Sequence, residues 1–243
     1  MKHLFALLFL LSLACPINAQ HLEYAFMAGG GLFHYNTKKA TEPYFSTINL
    51  SSLSSTGNYA NNPYGNKNGQ TFQLSFQLKK VTRRKLLWGA LIEYESVESK
   101  KKINWVFGPS SYNFREATGN YSMKNKLLVI SPYIGYRFQI SKSYLDITGG
   151  IDITDGISAV HEQGSATIIT TDDIIEVNKD SKAKNYGFFE TRARFQGDFG
   201  YKKWGLYFGY SCGFYEGKLA TFGGTPLYSF SRYFRGGIFY RLK

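Results

Sequence analysis

One pattern constrains this chain more than any other. Apolar residues fall at every second position, and the pattern recurs in eight segments. Phe72, Leu74, Phe76 and Leu78 alternate with Gln73, Ser75 and Gln77. Trp204, Leu206, Phe208, Tyr210, Cys212 and Phe214 alternate with Gly205, Tyr207, Gly209, Ser211 and Gly213. A period of two means strands with one apolar face and one polar or small face. The reading predicts strands at about 22–35, 70–81, 86–98, 124–138, 143–154, 186–199, 204–216 and 231–242. Each reaches the roughly 9–11 residues that a tilted strand needs to cross a bilayer.

The connections fall into two classes. Val81–Lys85, Gln139–Lys142 and Gly200–Lys203 are tight turns, while Asn36–Gly69, Ser99–Met123, Asp155–Asn185 and Gly217–Phe230 are long. Short and long alternate without exception. That asymmetry predicts an all-β fold: an eight-stranded, antiparallel, up-and-down transmembrane barrel with short periplasmic turns and long outer loops. An even strand count puts both termini on the periplasmic side. In the third long connection, Thr167–Thr170 and Ile174–Val177 flank Asp172-Asp173 and predict a hairpin carried outward. Asn36–Gly69, rich in Ser, Asn, Gly and Tyr, reads as mobile.

Residues 1–19 read as a signal peptide, with Lys2 as its charged start, an apolar run from Leu4 to Ala14 and Ala19 before the cut. Residues 20–243 then form one barrel domain. Lipidation at Cys15 is the alternative processing, although Ser12 occupies a place where a branched apolar residue is usual. Without Cys15, Cys212 has no intrachain disulfide partner. The net charge is +12. An exported barrel excludes nucleic acid as the partner and makes lipid headgroups the natural one.

The faces assign roles. Tyr24, Trp88, Tyr136, Phe138, Phe199, Trp204 and Tyr240 gather at the periplasmic ends of the outward faces, and Phe72, Tyr94, Phe189, Phe214 and Phe234 at the outer ends. Two such belts form an aromatic girdle at the two interfaces. Inward positions carry Glu23, Glu93, Glu95, Arg137, Asp146, Asp152, Glu190, Arg192, Arg194, Asp198 and Arg235. In an eight-stranded ring they are expected to pair and plug the lumen. A lumen position such as Tyr207 is expected to accept arginine more readily than lipid-facing Phe208. Arg83, Arg84, Lys85, Lys142, Lys202 and Lys203, with Lys79 and Lys80 beside them, form a basic periplasmic rim for anchoring at lipid headgroups. Two features fit less simply: Pro132 predicts a bulge or break in the fourth strand, and Leu87, Leu91, Leu127 and Val129 face inward as an apolar plug unless a bulge shifts the register.

On these patterns, and on the terminal segment Tyr233-Phe234-Arg235-Gly236-Gly237-Ile238-Phe239-Tyr240-Arg241-Leu242, the chain resembles the small eight-stranded outer-membrane barrels of Gram-negative bacteria. These are the OmpA/OmpX-like porin superfamily; Ala19-Gln20 and the Tyr/Gly richness are reminiscent of its Bacteroidetes-type members. The family's barrels usually end in an aromatic residue, whereas Lys243 ends this chain. The resemblance implies contact with the insertion machinery during biogenesis, lipopolysaccharide outside and phospholipid inside. It also implies a non-enzymatic role in which long extracellular loops serve the envelope or bind a protein or glycan.

Some barrels of this size modify lipid A, so catalysis is the alternative reading, as is an accessory subunit of a larger outer-membrane machine. A hydrolase needs a histidine within reach of a serine. His34 falls at the outer rim but is followed two residues on by Asn36, and His161 has Glu162 and Ser165 nearby. No cofactor motif is present. Asp152 with Asp155, or Asp172 with Asp173, lack the spacing of a calcium loop and read as solvated acids.

Overall fold

The computed structural model describes residues 19–36, 47–49, 59–60, 64–107, 114–157, 161–169, 174–182, 189–217, 221–222, 225–226 and 230–242. Residues 1–18, which hold most of the segment read as a signal peptide, and Asp172-Asp173 lie outside them. Among the described residues fourteen strands follow one another: β1 (Ala19–Asn36), β2 (Thr47–Asn49), β3 (Tyr59–Ala60), β4 (Lys67–Thr82), β5 (Leu86–Phe107), β6 (Phe114–Ile140), β7 (Ser143–Gly156), β8 (His161–Ile169), β9 (Ile174–Lys182), β10 (Phe189–Tyr201), β11 (Trp204–Gly217), β12 (Thr221–Phe222), β13 (Thr225–Pro226) and β14 (Phe230–Arg241).

Eight of them close a ring in the order β1-β4-β5-β6-β7-β10-β11-β14, and β14 pairs back to β1. Every neighbour in the ring is antiparallel. Closure satisfies both edges of every strand, so the ring has no exposed edge. The predicted fold class is therefore the observed one.

Alternation sets the two faces. Phe208, Ile134 and Phe195 stand outward at 68%, 72% and 60% exposure, whereas Tyr207, Leu127 and Val129 are at 0%. Leu87, Leu91, Leu127 and Val129 are all buried, so the register holds at these positions, and the shift in the β5–β6 ladder falls further out, between Ile103 and Trp105. Pro132 interrupts the β6–β7 ladder between Ile130↔Ile153 and Tyr133↔Gly150 while the register is kept. The strand breaks its pairing there without bulging.

The short turns carry left-handed residues where the chain must reverse. Lys85, Ser141 and Lys202 have φ of 64°, 53° and 52°. In the first of these turns the Lys85 amide donates to the Thr82 carbonyl at 3.0 Å, and the Leu86 amide donates to Thr82 Oγ1 at 3.0 Å.

The long connections differ from the expectation. Ser99–Met123 is not a loop: β5 runs on to Phe107 and β6 begins at Phe114, paired through Phe107↔Phe114. Ser99 and Lys101 break the apolar inward row there and the register shifts between Ile103 and Trp105, so no unbroken apolar period marks it. Beyond Gly156 the freed edge of β6 is taken up by β8, from Thr118↔Thr167 to Lys124↔His161. β9 then pairs with β8 as the predicted hairpin, which extends beyond its β-prone runs toward the ring, starting at His161 and ending at Lys182. Within Asn36–Gly69, β2 lies parallel to the end of β5 and β3 pairs with β2. A second sheet, β3-β2-β5-β6-β8-β9, thus rises from the ring at the end where the long connections lie.

Candidate functional site

The interior is built in layers. Nearest the short turns, Arg137 donates to both oxygens of Glu23 at 2.7 and 2.8 Å and to Asp146 at 2.7 and 2.9 Å. Lys79 Nζ donates to Asp146 at 2.7 Å and to Asp198 at 3.1 Å. The rim assignment of Lys79 is thus corrected. It is the inward neighbour of Leu78, and ring closure brings it to two carboxylates on β7 and β10.

An apolar and aromatic layer follows, formed by Ala25, Met27, Leu91, Tyr133, Tyr144, Tyr207 and Phe239. Inward glycines make room for its rings. A Cβ on Gly29 would stand 2.3 Å from Tyr207 Oη, and one on Gly205 would stand 2.1 Å from the Phe239 ring. Tyr207 Oη accepts from Gln73 Nε2 at 2.7 Å. An arginine there would lose that fit and approach Arg235, so the expected tolerance at position 207 is not supported by its packing.

Above it lies a second ionic layer. Arg194 donates to Glu93 at 2.7 and 3.1 Å and to Asp152 at 3.2 Å. Arg235 donates to Glu93 at 2.7 Å, Glu95 at 3.2 Å, Asp152 at 3.0 Å and Ser211 at 2.6 Å. Arg192 donates to Glu95 at 2.9 Å. Glu190 accepts from the Ser231 amide at 2.9 Å. The eleven acidic and basic residues singled out for the lumen are all buried. Gln77, Gln196, Ser75, Ser131 and Ser211, which the charge pattern did not single out, add to their hydrogen bonding, and Gln73 joins Tyr207 to Tyr233; Glu190 Oε2, Arg192 Nε and Nη1 and Arg235 Nε keep no hydrogen-bond partner among the described residues. The Asp152–Asp155 pairing fails geometrically, because Asp152 is buried against arginines and Asp155 is exposed.

The outward face carries the aromatic residues of the sequence reading. Phe72, Tyr136, Phe138, Phe189, Phe199, Trp204, Phe214 and Phe234 are exposed; Tyr24, Trp88, Tyr94 and Tyr240 are half-buried. Trp204 packs on Tyr240 at 4.8 Å and Tyr136 on Phe138 at 5.0 Å between ring centres. Lys80 sits 4.8 Å above the Trp88 ring. Arg83, Arg84, Lys85, Lys142, Lys202 and Lys203 are exposed around the short turns.

At the opposite end the second sheet has a core of its own. Phe33, Tyr35, Ile48, Tyr64, Val97 and Ile103 pack with Tyr121, Met123, Leu127, Val129, Ala166 and Ile168 over the mouth of the ring. The inward face of the β5–β6 extension is therefore apolar, while its other face is hydrophilic. Lys101 interrupts the inward face at 2% exposure, and burial lowers its pKa from 10.5 to about 7.

The hydrophilic face holds a cleft of about 630 Å³ between the start of β4 and the β8–β9 hairpin. Lys67, Lys100 and Glu98 line it on one side and Asn120, Gln163 and Asn178 on the other. Glu98 lies 3.7 Å from Lys100 and 3.9 Å from Lys124. The size suits a small ligand, and charged ends with amide walls suit a polar one. The β5–β6 extension, read from sequence as one loop among four, is the wall of this cleft. His34 lies at the nearby rim, its Nδ1 2.7 Å from Asn68 Oδ1. His161 is half-buried on the same face as Ser165, whereas Glu162 is buried on the other, so these three do not converge.

Fold and site define an eight-stranded up-and-down barrel that carries a folded sheet at one mouth. No family model matches the chain, and no curated protein matches it in sequence. Among solved structures it is similar to Ail, the attachment invasion locus protein of Yersinia pestis, crystallised with the heparin analogue sucrose octasulfate. That match has 9% identity and a TM-score of 0.38, and it covers 92% of this chain and 100% of that one. It is also similar to Neisserial surface protein A, NspA, with 11% identity and a TM-score of 0.37 over 91% of this chain and 99% of that one.

Proposed function

We propose that this chain is a non-enzymatic outer-membrane barrel that holds a folded extracellular sheet as a binding surface. One observation carries the reading: a continuous outward band of large apolar side chains around a closed ring. Phe26, Leu74, Ile134, Phe195, Phe208 and Ile238 are each between 49% and 72% exposed. In water such a band would drive aggregation; in a bilayer it is the required surface. The aromatic rings at both ends of the band fit the two interfaces, and the basic short turns fit phospholipid headgroups on the periplasmic side, where both termini would lie. Insertion machinery would meet the strands only during biogenesis. Lipopolysaccharide would surround the outer half.

The binding role is supported by the second sheet. A barrel needs only roughly 9–11 residues per strand to cross, yet β5 has 22 residues and β6 has 27. The excess is folded around an apolar core, which fixes the cleft on its outer face. A protein or glycan is the class of partner that this surface suits. The test replaces 99–123 and 157–186 by short Gly-Ser turns. The remaining ring should still insert into lipid vesicles and keep its heat-modifiable gel mobility, while ligand capture is lost. Retained capture, or a change in lipid A that depends on His34, would move the function to the barrel wall and favour the enzyme reading.

A further inference from the structure

We propose that the cleft on the outer face of the β4–β5–β6 wall binds an anionic saccharide, namely the phosphorylated core sugar of the surrounding lipopolysaccharide. The inference rests on the outer-membrane reading above and names the ligand of that surface.

The first argument is a cost in the fold. Lys67 and Lys100 are directly opposite each other on β4 and β5. Like charges in that relation destabilise a strand pair. Lys102 follows on the same face of β5, and Lys124 and Lys126 stand on the adjoining face of β6, all of them exposed. Among the described residues of this face, Glu98 is the carboxylate that contacts any of them, and it is shared between Lys100 and Lys124. The sheet therefore holds an excess of positive charge that an anion would relieve.

The second argument is chemical. The same cleft presents the amides of Asn120 and Gln163 and the hydroxyls of Ser122 and Ser165, beside Asn68, whose Oδ1 already meets His34. Amides and hydroxyls both donate and accept, as sugar hydroxyls require. A bare inorganic anion would use the lysines and leave this wall idle.

The third argument is position, and it selects the source. The lysines continue the same outward rows that carry Ile92 and Tyr94 on β5 and Leu128 and Ile130 on β6. Lys100 is six residues beyond Tyr94. At about 3.3 Å per residue and a tilt of about 40°, that is roughly 15 Å above the interface. This is the depth of the sugars of a glycolipid whose acyl chains lie against the band below. A ligand tethered there meets the cleft at high effective concentration.

The full chain in detergent micelles would be titrated by calorimetry with three probes. They are core oligosaccharide released from lipopolysaccharide by mild acid, the same material dephosphorylated with hydrofluoric acid, and a heparin-derived octasaccharide. The phosphorylated core should bind, dephosphorylation should weaken binding at least ten-fold, and the Lys67→Gln/Lys100→Gln variant should lose a similar factor. That variant should also unfold at a higher midpoint than the native chain when ligand-free, since the like-charge contact is gone. Undiminished binding by the variant, or equal binding after dephosphorylation, would overturn the proposal. Tighter binding of the heparin octasaccharide than of the core would overturn the lipopolysaccharide assignment in favour of an external sulfated glycan. A lower midpoint for the variant would show that the lysines are held within the fold and would remove the first argument. Failure of the native chain to insert into vesicles would instead refute the membrane reading.

Discussion

Removing the Glu93 carboxylate should cost the barrel about 3 kcal/mol. Both of its oxygens are used: they accept from Ser75 at 2.7 Å, from Arg194 at 2.7 and 3.1 Å, and from Arg235 at 2.7 Å. Its exposure is 1%. Breaking a buried ion pair from one side costs roughly 3–5 kcal/mol, because the surviving charge stays desolvated. Here the loss falls at the lower end. Arg194 keeps Asp152, Gln196 and Ser131, and Arg235 keeps Glu95, Asp152 and Ser211. Arg235→Met should cost more, toward about 5 kcal/mol, since it strips a cation from three buried carboxylates at once. The pair Glu93→Gln and Arg235→Gln should then show a coupling of about 1–3 kcal/mol in a double-mutant cycle. Urea titrations in lipid vesicles, followed by tryptophan fluorescence, measure all of these. Single costs below about 0.5 kcal/mol, the range of an ordinary surface substitution, would mean that water and not Glu93 satisfies the two arginines. The layered interior would then be an open, solvated lumen.

Three further outcomes follow from the same geometry. Planar bilayers containing the purified monomer should show little or only small, irregular conductance, because an aromatic layer separates two interlocked ionic layers; stable large channels would refute the filled lumen. Phe208→Arg should cost roughly 2–4 kcal/mol in vesicles, whereas Tyr207→Phe, which gives up only the Gln73 hydrogen bond, should cost about 1 kcal/mol; the reverse order would invert the faces of β11. Lys101 should make the sheet at the mouth of the ring more stable as pH rises from about 7 toward 10, since its folded pKa is about 7 against an ordinary 10.5 and the unfolded chain binds the extra proton across that window. Lys101→Met should flatten that slope in pH-dependent urea unfolding, and an unchanged slope would assign it to another group.

The sequence by itself determined the ring. Period-two alternation states which face of each strand is apolar, and a closed sheet is the arrangement that can use eight such faces without leaving an edge. The face assignments of Phe208 and Tyr207, of Leu127 and Val129, and of Arg192 and Arg194 follow from parity alone and needed no partner. Where one face is hydrophilic and charges break the other, parity carries little information. In residues 99–107 and 114–123, Lys100, Lys102, Asn120 and Ser122 lie on the outer face, Ser99 and Lys101 break the inner one, and the register shifts between Ile103 and Trp105, so the longest hairpin reads as a loop. Only the tertiary structure decided which charges meet. Lys79 looked like a rim residue beside Lys80; parity with Gln77 turns it inward, and closure sets it across from Asp146 and Asp198, 67 and 119 residues away. The pairing of Arg235 with Glu93, 142 residues apart, has the same origin. So does the opposition of Lys67 to Lys100, which depends on the register of β4 against β5 and not on the composition of either. Local pattern fixes the direction of a side chain, and ring closure fixes its company.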